Sequence, residues 1–253
     1  MKSINTSVLV WALMAVLLNA CSSVPFMPSP EGEQTTETQV TETQPTEAEP
    51  VEQLSPMQVK VLALKAKPNL YQTEYAEQNV TLSPTVKKQF SQALAFKQNG
   101  QIDKATEIFT RLSESQPQLS GVWVQLAQLA THAENSANLS KAVIYLNKAI
   151  SANSLNYLAY NQLGQALRKQ GQFSQALEQY QQALKIWPAF PEAYLNRGVL
   201  YDLYLGEKTL ALEDYTLYQA LLDEPSRQIK GWIIDLQRQI KANDRKMQNG
   251  ENR

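Results

Sequence analysis

A pattern of small and bulky residues recurs along the chain every 34 to 37 positions, and it restricts the possible folds more than any other feature. A small residue is followed four positions later by a bulky one at Ala105/Phe109, Ala142/Leu146, Ala176/Tyr180 and Ala211/Tyr215. Further small residues precede these pairs at Ala93, Ala127, Gly164 and Gly198. Small residues at helical spacing let two helix backbones approach closely, and the bulky residues fill the seam between them. The pattern predicts an all-α chain of repeated antiparallel helix pairs.

The segment from Tyr157 to Phe190 shows the complete unit. Leu163, Gly164 and Leu167 lie on one helical face, Gly171 marks a turn, and Pro188 ends the unit. This arrangement resembles the tetratricopeptide repeat, a helical hairpin that stacks into a right-handed superhelix. Four such units fit the sequence, at about 86–119, 120–156, 157–190 and 191–224.

The segments on either side of the repeats are also predicted to be helical in part. Residues 225–242 carry an apolar face formed by Ile229, Trp232, Ile233, Leu236 and Ile240, which indicates a helix that caps the last unit. We expect residues 243–253 to form a disordered tail. Residues 56–83 are expected to form a short helix, ended by Pro68, and then an extended segment.

The first 21 residues read as an export signal. Lys2 precedes an apolar run from Val8 to Leu18, which is too short for the roughly 20 residues of a membrane-spanning helix. The run ends in Leu18-Asn19-Ala20-Cys21, which resembles the lipobox of bacterial lipoproteins. The resemblance implies removal of residues 1–20, acylation of Cys21 and, because Ser22 follows it, sorting to the outer membrane facing the periplasm. An ordinary signal peptide with an incidental cysteine and a buried first helix are the alternatives.

Residues 21–55 have the composition of a disordered tether. They contain five prolines and seven glutamates, and they have no lysine or arginine. Residues 56–253 hold 22 basic and 17 acidic residues, a net charge of +5. The pattern indicates an acidic leash that joins the lipid anchor to a mildly basic folded part, although a spacer with no specific role would look the same.

The sequence shows no catalytic or cofactor-binding pattern. A single cysteine and a single histidine exclude a disulfide framework, a cysteine-based zinc cluster and a multi-histidine metal site. No phosphate-binding glycine motif occurs, and the net charge of −1 gives no reason to expect nucleic acid. We therefore expect a chain that is not an enzyme, with no cofactor, no metal and no small-molecule substrate.

The resemblance to the tetratricopeptide repeat implies a concave groove lined by the first helix of each unit. Carried over by position, the candidate groove residues are Phe90, Lys97, Gln128, Asn161, Gln165, Arg168, Lys169, Leu195 and Asp202. Some of these side chains could instead pack against a neighbouring helix.

The combined features favour a lipid-anchored periplasmic adaptor that binds a segment of another envelope protein. Pilus or secretin assembly, energy transduction and regulation of cell-wall enzymes are possible settings. A peptidoglycan-associated accessory protein is the alternative, since the folded part is basic. A self-associating structural repeat protein is a third hypothesis.

Overall fold

The computed structural model describes residues 54–77, 82–131, 136–248 and 250, and within these ranges the chain is helical with no strand. The helices are α1 (Pro56–Lys65), α2 (Leu70–Glu77), α3 (Pro84–Gln98), α4 (Ile102–Ser115), α5 (Ser120–Thr131), α6 (Ser136–Ala152), α7 (Tyr157–Lys169), α8 (Phe173–Ile186), α9 (Pro191–Leu200), α10 (Lys208–Leu221) and α11 (Arg227–Gln248). The all-α prediction is confirmed. The signal, Cys21, the tether up to residue 53 and His132 lie outside the described residues.

Four helix pairs follow one another along the chain: α3 with α4, α5 with α6, α7 with α8, and α9 with α10. Each predicted unit contains one of these pairs, and neighbouring pairs pack together through α4 with α5, α6 with α7 and α8 with α9. Consecutive packed pairs of this kind are consistent with the predicted superhelix.

The seam inside each pair is built from the small and bulky residues of the repeat. Ala93, Ala127, Ala142 and Ala176 are buried, as are the large side chains Phe109 and Tyr180. A Cβ atom added to Gly164 would lie 2.6 Å from Cε1 of Tyr180, and one added to Gly198 would lie 2.7 Å from Cε1 of Tyr215. Glycine at these two positions is therefore what lets a tyrosine ring fit between the helices.

The helices begin where side chains can satisfy their free backbone amides. Ser55 and Gln58 form a reciprocal capping box at α1, and Ser83 accepts from the Val86 amide at α3. Asn156 caps α7 by accepting from the Ala159 amide at 3.0 Å. It also donates to Ser120 Oγ at 2.7 Å, so the cap is tied to the preceding pair.

The first helix of the fourth pair contains an extra residue. α9 continues without a break into a π-helical turn at Tyr201–Leu205, and Gly206 then takes the left-handed conformation with φ of 72°. In the third pair, Gly171 occupies the same turn position with φ of 77°. Because the turns match, the additional residue is absorbed inside the helix and not in the loop.

The segment before the repeats is more helical than we expected, and it packs on the far end of the array. Part of the stretch predicted to be extended forms α2, which Asn69 starts by accepting from the amides of Tyr71 and Gln72. Val61 of α1 is buried in a cluster with residues of α8, α9 and α10. Lys60 forms an ion pair with Glu213 of α10.

Helix α11 packs on α10 through Ile229 and Leu236, as expected for a capping helix. It extends to Gln248, six residues past the predicted end at 242, so most of the predicted disordered tail is helical. Arg245 and Lys246 lie in its last turn, where positive charge stabilises the helix dipole. Among the helices in the described ranges, none is both long and apolar enough to cross a bilayer.

Candidate partner-binding groove

An open groove of about 390 Å³ lies along the first helices of the second and third pairs. It is lined by Ala127, Gln128 and Thr131 of α5, Leu146 of α6, six residues of α7, and Phe190 and Glu192 at the start of α9. The α7 residues are Leu158, Asn161, Gln162, Gln165, Ala166 and Lys169.

The polar side chains of the groove are mainly amides. Gln128, Gln162 and Gln165 are half-buried. Lys169 and Glu192 are exposed, and they carry opposite charges. A carboxamide both donates and accepts hydrogen bonds, as a peptide backbone does. Amides above an apolar floor therefore suit an extended polypeptide, whose backbone they can pair with whatever its sequence.

The structure brings four of the predicted site residues together in this groove, namely Gln128, Asn161, Gln165 and Lys169. Asn161 also has a packing role, because it is 4% exposed and its Oδ1 accepts from Asn196 Nδ2 at 3.1 Å. This bond links α7 to α9 and holds two walls of the groove in place. Whether these residues bind a partner stays a prediction.

Lys97 of α3 lies next to the groove and interacts with its edge. Its Nζ donates to Gln125 Oε1 at 2.8 Å and also to the Oε1 atom of Gln128. Burial lowers the pKa of Lys97. The contact engages the side-chain oxygen of Gln128, and its amide nitrogen can still act as a donor.

The other predicted site residues lie elsewhere. Phe90 packs edge-to-face on Phe109, with ring centroids 5.4 Å apart, so it belongs to the core of the first pair. Leu195 is half-buried in the cluster formed by α9, α10 and α11. Asp202 lies on the π-helical turn and lines a different cleft.

Arg168 points away from the groove toward the fourth pair. Its guanidinium lies over the ring of Tyr204, 5.6 Å from the centroid. Its Nε is buried and has no hydrogen-bond partner among the described residues. Since α7 turns by about 100° per residue, Lys169 reaches the groove while its neighbour Arg168 packs against another helix.

Three of the groove residues that sequence reasoning missed were missed for the same reason. Leu158 lies in the first turn of α7, and Phe190 and Glu192 lie where α9 begins. These residues come from helix starts and from the junction between units, whereas our positional prediction considered only later turns of each first helix. The exposed Leu158 could have been found as an apolar residue outside the seam pattern.

The described residues include no group of three or more His, Cys, Asp or Glu side chains that could hold a metal ion.

Comparison with known proteins identifies the repeats. Residues 145–178 match a family model described as tetratricopeptide repeat, and residues 164–202 match one described as TPR repeat. Residues 145–202 therefore carry tetratricopeptide repeat sequence. No curated protein sequence matches it significantly.

Three solved structures illustrate the same fold. PilF of Pseudomonas aeruginosa has 18% identity and a TM-score of 0.55, over 62% of this chain and 69% of that one. A double mutant of MamA RS-1 has 16% identity and a TM-score of 0.54, over 66% and 90% of the two chains. A tetratricopeptide repeat protein from Parabacteroides merdae has 18% identity and a TM-score of 0.52, over 64% and 62%. At these identities the likeness establishes the fold.

Proposed function

We propose that this chain is a lipid-anchored adaptor of a bacterial envelope, which holds an extended segment of another envelope protein in the groove along α5, α7 and the start of α9. The observation that carries the proposal is the groove itself. Its floor is apolar and its rim carries the half-buried Gln128, Gln162 and Gln165, whose amides can pair with a polypeptide backbone. The tetratricopeptide fold is a protein-interaction scaffold, and we assign it no reaction.

The cellular location in this proposal rests on the sequence. The apolar run before Cys21 and the acidic tether after it are typical of a lipoprotein that reaches into the periplasm from the outer membrane. Metabolic labelling with a palmitate analogue should mark the wild-type chain and leave Cys21→Ala unlabelled. Equal labelling of both proteins would remove the anchor from the proposal.

Site-specific photo-crosslinking in cells tests the groove. A benzoyl-phenylalanine at Gln165, in the groove, should give a discrete adduct with an envelope protein. The matched control is the same substitution at Gln181, an exposed glutamine on α8, the second helix of the same pair. Adducts that are the same from both positions, or none from Gln165, would contradict the proposal.

Charge supports one alternative, a peptidoglycan-associated accessory protein. The folded part is basic, and the second half of α11 exposes Arg238, Lys241, Arg245 and Lys246. Sedimentation of the purified chain with sacculi distinguishes the two functions. Binding to sacculi that falls with salt, together with no crosslinked protein from Gln165, would favour the alternative.

A further inference from the structure

A second cleft, of about 290 Å³, lies between α9 with its π-helical turn and the first half of α11. Tyr215 of α10 lies at its base, with its ring 5.4 Å from the ring of Trp232. Val199, Leu203 and Leu236 give the walls an apolar character. The cleft is separate from the groove described above and shares no lining residue with it.

The π-helical turn places an acidic residue in this cleft. Seven positions separate Gly164 from the turn residue Gly171, and eight separate Gly198 from Gly206. Turns with π-type hydrogen bonding are rare inside helices and often occur at functional sites. Here the turn presents Asp202 to the cleft and leaves Leu203 67% exposed at its mouth.

The cleft combines two carboxylates with an accessible indole ring. Asp202 accepts from the hydroxyl of Tyr215 at 3.5 Å, and Asp235 accepts from Nε2 of Gln239 at 3.3 Å. Neither carboxylate forms an ion pair within the described part of the chain. Lys208 lies near the rim and donates to Gln239. Trp232 is 37% exposed.

The carboxylates, the indole ring and the apolar walls of the cleft together suit a positively charged group at the end of an apolar side chain. Two carboxylates favour a cation by Coulomb attraction, and the face of an indole attracts a cation through its π electrons. The methylene groups of a lysine or arginine side chain can pack on apolar walls while the charged end reaches the carboxylates. A planar guanidinium can also stack on the indole, so the site favours arginine over lysine.

We propose that the cleft binds an arginine side chain of the segment held in the groove. The inference rests on the proposed peptide-binding function. Gln165 directly follows Gly164 and lines the groove, while Val199 directly follows Gly198 and lines the cleft. Because Gln165 and Val199 hold equivalent positions on successive first helices, one segment running along both helices would meet both sites.

Indole NMR of the full-length chain in detergent micelles tests the proposal. The ¹⁵N-indole signal of Trp232 is assigned with Trp232→Phe. The probe is a capped peptide, Ala-Leu-Arg-Leu-Ala, and its comparison peptide carries neutral citrulline in place of arginine. The arginine peptide should shift the Trp232 signal saturably and at least about fivefold more tightly than the citrulline peptide. The other tryptophan signals should stay in place.

Paired variants show whether the carboxylates are responsible. Asp202→Asn with Asp235→Asn should weaken the arginine peptide at least about tenfold, because two charged acceptors are lost. Glu114→Gln with Glu178→Gln is the control, with the same change in net charge on exposed positions of α4 and α8. It should bind as the wild type does.

Three results would overturn the inference. They are equal binding of the two peptides, no response of Trp232, or full binding by the asparagine pair. A Trp232 shift that follows protein concentration without peptide would assign the cleft to a second copy instead. The crosslink from Gln165 reports on the groove separately. If that crosslink forms while the Trp232 signal does not respond to the arginine peptide, only the arginine site is refuted and the proposed function stands.

Discussion

Replacing Gly164 by alanine tests how the helix pairs are held together. The added Cβ would lie 2.6 Å from Cε1 and 2.8 Å from Cδ1 of Tyr180, both closer than real Cβ contacts. The Tyr180 ring cannot swing aside, because it is 0% exposed and packed in the core. Either α7 and α8 must separate or the ring must leave its preferred rotamer.

Two opposing terms set the size of the effect. Overpacking a core typically costs about 1–3 kcal/mol, and three ring atoms in conflict place Gly164→Ala in the upper part of that range. Alanine stabilises a helix interior by roughly 0.5–1 kcal/mol relative to glycine. The free energy of unfolding should therefore fall by about 1–2 kcal/mol.

Gly231→Ala provides a matched control within the same chain. Gly231 lies inside α11, is exposed, and a Cβ added to it would meet no atom within 4 Å. Only the helix-propensity gain remains, so this variant should be stabilised by roughly 0.5–1 kcal/mol. The same substitution, glycine to alanine, is thus predicted to lower the free energy of unfolding at position 164 and to raise it at position 231.

A double-mutant cycle isolates the contact itself. The second pair has Ala127 and Leu146 at the positions of Gly164 and Tyr180. Tyr180→Leu alone leaves a void and should cost about 2 kcal/mol, less than the 3–5 of a full aromatic truncation. Adding Gly164→Ala to it should recover stability, with a coupling of about 1–2 kcal/mol.

Urea unfolding of the full-length chain, followed by circular dichroism, measures all four variants. Midpoints are the quantity to compare, because unfolding of a repeat array can lose cooperativity. A rise in the midpoint for Gly164→Ala, matching that of Gly231→Ala, would refute the reasoning. The reasoning would also be refuted if the double variant lost as much stability as the sum of the losses of Gly164→Ala and Tyr180→Leu.

Three further predictions concern buried polar groups, and each is measured by urea unfolding. Asp214 accepts two hydrogen bonds of 2.8 Å from Arg197, whose side chain is 19% exposed. Asp214→Ala leaves this mostly buried guanidinium unpaired and should lower the free energy of unfolding by about 3 kcal/mol, and a loss under about 1 kcal/mol would contradict this. Asn156→Ala removes both the cap of α7 and the bond to Ser120, and should cost about 2 kcal/mol. Burial, with a smaller contribution from nearby Asp202, raises the pKa of Tyr215. The neutral hydroxyl of Tyr215 therefore contributes fully to stability below pH ~10, and this contribution is lost as the pH rises through the pKa of Tyr215 in the folded state. Tyr215→Phe should therefore flatten the fall of the midpoint above pH ~10, and an unchanged slope would contradict the assignment.

The repeat architecture could be predicted because it depends on local spacing. Gly164 opposite Tyr180 and Gly198 opposite Tyr215 follow from residues about 17 positions apart in a regular hairpin, and periodicity reports such contacts directly. Helix ends were less predictable, since polar residues such as those after 242 suit either a frayed tail or a helix that continues.

The groove could be predicted only in part. Position within the repeat identified Gln128, Gln165 and Lys169, because the side that a helix turns toward the groove repeats with the unit. Positional transfer failed for Phe90, which fills the seam of the first pair against Phe109. It also missed Glu192, because the wall it forms belongs to the next unit.

The docking of α1 could not be predicted, and it bears on how an anchored chain would work. The apolar residues of α1 are spread around the helix, so its sequence marks no binding face, and Val61 finds its partners more than 120 residues away in α8–α10. The chain therefore enters the described part at Leu54, beside Ala220 of α10. If Cys21 is lipidated as proposed, the tether from the membrane anchor would join the described part at this point. Tension on that tether would act on α1 and the fourth pair first, while the first pair would be the part farthest from the attachment along the array.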